Sequence, residues 1–316
     1  MASKALVGIS SCLEGQKVRF DAGHKNSRFI TQELSPYIEL KTICPEVAIG
    51  LGVPRPTIRL ISDEERVRLV DSKDSTIDHT DKMVAYSKGV AQSLSQQPIC
   101  GYVVCANSPT CGMERVKVYG NNRAEKSGVG LHTQELIDAM PWLPIEEDGR
   151  LNDAVLRENF VTRVFCLQDF YETFADEPTP KKVVEFHSRY KLMLMAHHPE
   201  TYRELGPLVA NLKDMDMEAF LTLYREKLMF ALKHRASRKN NTNTLMHLQG
   251  YFKKALDKKR KAELSQVIDN YRIGNVPLFA PLTLINHYLH VYPDAYLEQQ
   301  KYLTPYPDDL RLRVPL

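Results

Sequence analysis

The sequence predicts an α/β N-terminal domain built on a Rossmann-like open sheet, followed by an all-α C-terminal domain. Short apolar runs that stop at Gly, Pro or polar turns recur through the first half, the pattern of buried strands alternating with helices. Glycine then nearly vanishes, with only Gly206, Gly250 and Gly274 of fifteen lying beyond residue 150. Long helix-forming side chains take over there. A chain of 316 residues is long for one core and comfortable for two. Domains over 1–150 and 151–316 follow, with the polar segment EEDGRLNDAVLRENF (146–160) at their junction.

In order, ALVGIS (5–10) is a short strand running into the turn SCLEG, which leaves Cys12 just past a strand end. A helix is expected from about Asn26 to Leu34. IELKTIC (38–44) is a second strand broken by Pro45, so Cys44 and Glu46 also sit at a carboxyl end. TIRLI is a third strand, Ile77 to Gln96 a long helix, and ICGYVVCA a strong apolar strand that delivers the loop CANSPTCG. VKVY (116–119) is a short return strand and LHTQELIDAM a helix. The second half reads as helices near Val155–Ala175, Pro180–His198, Pro199–Asn211, Met215–Ala236, Thr242–Asp257, Arg260–Ile273 and Pro281–Leu303.

Lys plus Arg number 42 against 39 Asp plus Glu, a formal charge of +3, so any polyanion footprint must be local. No apolar run approaches the roughly 20 residues of a membrane span, and the N-terminus lacks a signal-peptide core. A cytoplasmic protein with no membrane partner is expected. Six cysteines are too sparse for a disulfide scaffold and would be thiols, ligands or reactive groups.

Open α/β sheets bind ligands beyond the carboxyl ends of their strands, where Cys12, Cys44 and Cys111 all fall. Cys100 and Cys105 sit at the two ends of one apolar strand and read as packing residues, with Cys105 close enough to the loop to stay in reserve. Three thiols from three strand ends, with no C-x-x-C pair, match neither a zinc ribbon nor a ferredoxin run. Brought together, they would suit a cluster with one iron left open; three unrelated buried cysteines would explain the same positions.

The blocks GISSCLEGQKVRFDAGHK, ICPEVAIGLGVPRPTIRL and CANSPTCGMERVKVY resemble, in order, the three signature segments of the thiouracil desulfidase family. The resemblance covers roughly residues 5–145 and departs from the family pattern at Thr110 and in SSC, both mildly. It implies a [4Fe-4S] cluster on Cys12, Cys44 and Cys111, its open iron facing the sulfur of a thiolated pyrimidine. The chain beyond about residue 155 is similar to a helical domain fused behind that domain in tRNA 4-thiouridine desulfidases, which implies tRNA as the substrate and partner; no DNA partner is expected.

On that reading Glu46 is the general acid/base that activates water. Otherwise it is a carboxylate opening a helix. Ser108 would donate to the substrate or departing sulfur, or simply cap its own turn. Arg55, between two prolines, would grip a phosphate or base edge. KHRASRKNNTN (233–243) and YFKKALDKKRKAE (251–263) concentrate cations. Lys254, Lys258 and Lys261 share one face at helical spacing, a stripe that would hold RNA phosphates. A desulfidase of free thiouracil or another small thiolated compound, and a non-catalytic RNA-binding protein with structural cysteines, are the competing readings.

Overall fold

In the computed structural model the N-terminal part runs β1 (Ala5–Ser10), β2 (Ile38–Ile43), a short α1 (Pro45–Ala48), β3 (Ile58–Ser62), β4 (Val67–Asp71) and α2 (Thr80–Ser95). It continues through β5 (Ile99–Val104), β6 (Val116–Tyr119), β7 (Ala124–Gly128), α3 (Leu131–Ala139) and β8 (Ile145–Glu147). The structure describes residues 4–63, 66–120 and 123–313. Two units divide the chain, Met1–Phe160 and Val161–Leu316.

The first unit contains two sheets. One is a four-stranded parallel sheet in the order β2-β1-β5-β8. Every residue of β5 is buried, and β1 is buried at all but one position, which is why both read as continuous apolar runs. Gly8 lies against the Tyr102 ring, where a Cβ would come within 2.3 Å of the side chain. The second sheet, in the order β4-β3-β6-β7, is mixed. Its core is Leu60, Leu69, Val116 and Val118 closed by Met83 of α2.

The α/β class holds, but the second sheet goes beyond the expected single open sheet. β4, β7 and β8 were not expected: β7 is exposed at four of its five residues, so it shows no apolar alternation. The helix expected from Asn26 is a short π-helical segment, Phe29–Leu34.

The second unit is helical. α4 (Ala154–Thr173) carries the division between units, and α5 (Pro180–His197), α6 (Pro199–Ala210), α7 (Met217–Lys233) and α8 (Arg238–Tyr251) follow. The last are α9 (Lys258–Arg272), α10 (Phe279–Val291) and α11 (Ala295–Glu298). Side-chain caps set the starts: Thr179, Asp216, Ser237, Asp257 and Asp294 each accept from the backbone N–H of the second or third helical residue. Phe186 and Tyr190 stack at 4.6 Å inside this unit, with Tyr224 edge-on to Phe186.

Two expectations fail here. The helix drawn from Pro281 to Leu303 stops at Val291 and restarts at Ala295, because Pro293 cannot continue it and Asp294 caps a new start. The lysine stripe is divided: α8 ends at Tyr251, Asp257 caps α9, and Lys254 lies in the turn between. Lys254 therefore does not share a helical face with Lys258 and Lys261. Among the described residues no helix is long and apolar enough to cross a membrane.

A polar knot fastens β4 to α2. Asp78 Oδ1 accepts from the Thr80 amide at 2.8 Å and hydroxyl at 2.5 Å, its Oδ2 from Arg68 Nε at 2.8 Å, and Thr80 Oγ1 accepts from the Leu69 amide at 2.9 Å. Partial burial works against the Asp78 charge, but these donors outweigh it and hold the carboxyl down at about 2. Because the folded value lies below the ordinary one, this stabilisation is full above about pH 4 and is lost as pH falls toward 2. Asp78→Ala should cost about 1 kcal/mol at pH 6. The loss should shrink below about pH 4, checked by urea unfolding of both proteins across that range.

Candidate active site

From β1 the chain crosses to β2 on one side and later to β5 on the other. That reversal opens a crevice at the carboxyl ends of β1 and β5. Cys12 follows β1, Cys44 follows β2 and Cys105 follows β5, so thiols leave three adjacent strands spaced about 4.8 Å apart. They line one cavity of about 260 Å³ together with Cys111, Glu46 and Ser108. The three cysteines expected as ligands thus line one cavity, together with Cys105, which the sequence left in reserve. Cys100 and Cys166 are buried elsewhere.

The loop after β5 is held from two sides. Asn107 adopts a left-handed conformation, φ 63°, which Asn tolerates better than most residues. Ser108 Oγ accepts from the amides of Thr110 at 3.3 Å and Cys111 at 3.1 Å. The first N–H groups of α3 have no partner within their helix. Leu131 donates to Pro109 O at 3.2 Å and His132 to Thr110 O at 2.9 Å, while the Thr133 hydroxyl donates to Cys111 O at 2.6 Å. This approach requires Gly130, where a Cβ would come within 2.4 Å of the Thr110 backbone. Asp148, at the end of β8, accepts from the Ala106 amide at 2.9 Å and from Lys25 Nζ at 2.9 Å. The Ser10 hydroxyl accepts from the Cys105 amide at 3.2 Å.

Glu46, in the first turn of α1, is gripped at both oxygens. Arg55 Nη2 contacts Oε2, while Oε1 accepts from Thr110 Oγ1 at 2.5 Å and from Ser108 Oγ at 3.4 Å. Arg55 also donates to Val18 O at 2.8 Å and Gly52 O at 3.1 Å, with its side chain only 3% exposed. Expected as an open fork for substrate, this guanidinium is occupied by protein acceptors and orients the carboxylate. Ser108 caps its own loop and touches Glu46 at once, so both readings of it describe the same side chain. Lys254, Lys258 and Lys261 belong to the helical unit and do not line this cavity.

The thiols are not equivalent. A hydrogen bond from Cys12 to Cys105, and then burial, push Cys12 up, and the same bond pulls Cys105 down. Burial followed by the Glu46 charge raises Cys111 to about 12 against hydrogen bonds from Thr110 and Ser10. Burial also raises Cys44. Among the described residues no three His, Cys, Asp or Glu side chains are grouped to hold a single metal ion. Cys12, Cys44, Cys105 and Cys111 give this cavity four soft sulfur donors, the ligand type that thiophilic metals and iron–sulfur groups take.

Thr110 and Asp148 are the site residues that the sequence reading did not assign. Thr110 stood out only as a variation on a motif, and Asp148 lay in a segment read as a domain junction; their partners are 64 and 42 residues away.

Residues 7–148 match the family described as 2-thiouracil desulfurase, and residues 191–307 match the protein of unknown function family DUF1722. The Escherichia coli (strain K12) protein YbgA, described as uncharacterized, is 37% identical over 165 residues, which is 52% of this chain and 95% of YbgA. Among solved structures, the [4Fe-4S]-dependent thiouracil desulfidase TudS is similar at 24% identity and a TM-score of 0.35, over 48% of this chain and 94% of that one.

Because both charges are largely removed from water, deleting one strands the other. Arg55→Met should destabilise the protein by about 3 kcal/mol, and adding Glu46→Gln should recover most of that loss. Chemical unfolding of the two single variants and the double variant measures this coupling.

Proposed function

This chain belongs to the family of YbgA and joins a 2-thiouracil desulfurase domain to a DUF1722 domain, and we propose that it is a tRNA 4-thiouridine desulfidase. The observation that carries this reading is the single cavity in which strand-end thiols meet the Glu46 carboxylate. The donor set fits a [4Fe-4S] cluster: Cys12, Cys44 and Cys111 would hold it, on three separate chain segments. When bound, it supplies a Lewis-acidic iron for the substrate sulfur.

The protein's own residues supply the remaining chemistry. Glu46 takes a proton from a water that attacks the thiocarbonyl carbon, then returns it to the departing sulfur. Arg55 and Thr110 fix the carboxylate for that transfer. The Ser108 hydroxyl turns its one proton from the long 3.4 Å contact with Glu46 to the substrate edge. One water enters, the C=S bond becomes C=O, hydrosulfide leaves with one of the water's protons while the other passes from the new hydroxyl to solvent, and no electrons are exchanged. A nucleotide stacked within RNA must be turned out to reach the cavity.

Support for RNA over a free base comes from the helical unit, with exposed cations in residues 233–263 that include Lys254 and Lys258. Lys261, half-buried on α9, belongs to the same basic segment. Free 2-thiouracil is the second reading, favoured by the family's description and by a cavity of about 260 Å³, small enough for a lone base.

After anaerobic reconstitution with iron and sulfide, Cys111→Ala should lose visible absorption and desulfidation together. Full activity in that variant would contradict the scheme. Glu46→Gln should keep the absorption and lose turnover by roughly 10²–10⁴-fold. Incubation with 4-thiouridine-containing tRNA should bleach the nucleoside's near-ultraviolet band and release sulfide faster than free thiouracil is consumed. Equal or faster use of the free base would favour the second reading.

A further inference from the structure

The helical unit has a second cavity, of about 350 Å³, between α5, α6, α8 and α11, within the roughly 300–1,000 Å³ of small-molecule sites. Its lining includes Lys191, Arg203 and His247 and no carboxylate. Among the described residues neither Lys191 nor Arg203 has a carboxylate within ion-pair distance. Elsewhere in this unit some cations are taken up by acids, as Lys227 is by Glu204 at 2.7 Å and Arg272 by Asp269 at 2.8 Å. Two cations that line an acid-free hollow and have no carboxylate partner among the described residues suit an anion.

The same hollow has an aromatic wall. Tyr251 and Tyr296 stack with ring centroids 5.3 Å apart and planes 16° from parallel, and Tyr251 is 47% exposed. Tyr251 lines the cavity and is exposed, so the ring surface not stacked on Tyr296 can take a planar group. The Asn243 amide nitrogen is engaged with Met195 Sδ at 3.3 Å, which fixes the side chain and leaves its carbonyl oxygen to accept from a base edge.

We propose that this cavity binds one unpaired nucleotide of the RNA substrate, its base stacked on Tyr251 and its phosphate between Lys191 and Arg203. This rests on the tRNA reading and deepens it by moving the principal contact from the divided lysine run to a formed pocket. Each part of the ligand has a matching group: phosphate with two cations, base face with tyrosine, base edge with Asn243.

The test uses the full chain and equilibrium binding of thiolated tRNA at about 0.15 M salt, where loosely held phosphates contribute less than at low salt. The double variant Lys191→Gln with Arg203→Gln, and separately Tyr251→Ala, should each weaken binding about tenfold or more. Tyr251→Phe keeps the ring and should stay within about twofold of wild type. So should Lys181→Gln, which removes a cation from the same helix outside the cavity and so tests for a general charge effect. Circular dichroism checks folding, and if Tyr251→Ala is misfolded, Asn243→Ala and His247→Gln, both at exposed positions, give a second route to the same loss.

Wild-type affinity in the double variant and in Tyr251→Ala, with normal tRNA binding by the parent, would overturn this site and leave the tRNA reading standing. A parent chain that binds no tRNA would overturn both. Saturable binding of uridine monophosphate without tRNA binding would also overturn the proposal, by assigning the pocket to a free nucleotide.

Discussion

Everything at the candidate active site depends on where the parallel sheet changes direction. β1 is central, and the chain leaves it for β2 on one side before reaching β5 on the other. Connections cannot fill the gap above a strand pair from which they depart in opposite directions, so a crevice is built into the topology. Cys12, Cys44 and Cys105 reach it simply by being the first cysteines past their strands. Cys111 reaches it only because α3 and Gly130 pull its loop inward. Three positions are thus set by strand order and one by a helix start.

The second constraint is electrostatic. A carboxylate in a thiol-lined cavity needs partners for its charge, and Glu46 has Arg55 at one oxygen and two hydroxyls at the other. Arg55 is in turn held by the carbonyls of Val18 and Gly52. This chain of contacts joins the segments after β1, β2 and β5, so the cysteine-bearing loops and the Glu46 carboxylate form one unit. Removing a polar member would disturb more than its own contact.

How much was legible follows from the range of the forces involved. An apolar run broken by Pro or Gly is a local signal, and it placed Cys12, Cys44 and the CANSPTCG loop correctly at strand ends. The use of Arg55, the clamp from Thr110 and the anchor from Asp148 depend on partners 9, 64 and 42 residues away, respectively, and no spacing rule announces them. Of the second sheet, β3 and β6 were read as strands, but β7 was missed because it is polar and exposed. The lysine stripe was over-read because helical periodicity was carried through Asp257, a residue whose short acceptor side chain starts a helix more readily than it continues one.

The helical unit has a different logic, in which aromatic packing inside and capped helix starts outside leave cations on its surface. Its contribution would be to hold a substrate whose chemistry occurs at the thiol cavity. On the function proposed above, Cys12, Cys44 and Cys111 would hold a cluster in that cavity and leave one iron without a protein thiolate. Mössbauer spectroscopy of the protein reconstituted with isotopically enriched iron, before and after addition of a thiolated pyrimidine, tests it most directly. The account predicts one iron site distinct from the others whose parameters alone shift with substrate. A cluster with four equivalent thiolate-bound irons, as would arise if Cys105 were a fourth ligand, or no cluster at all, would contradict it.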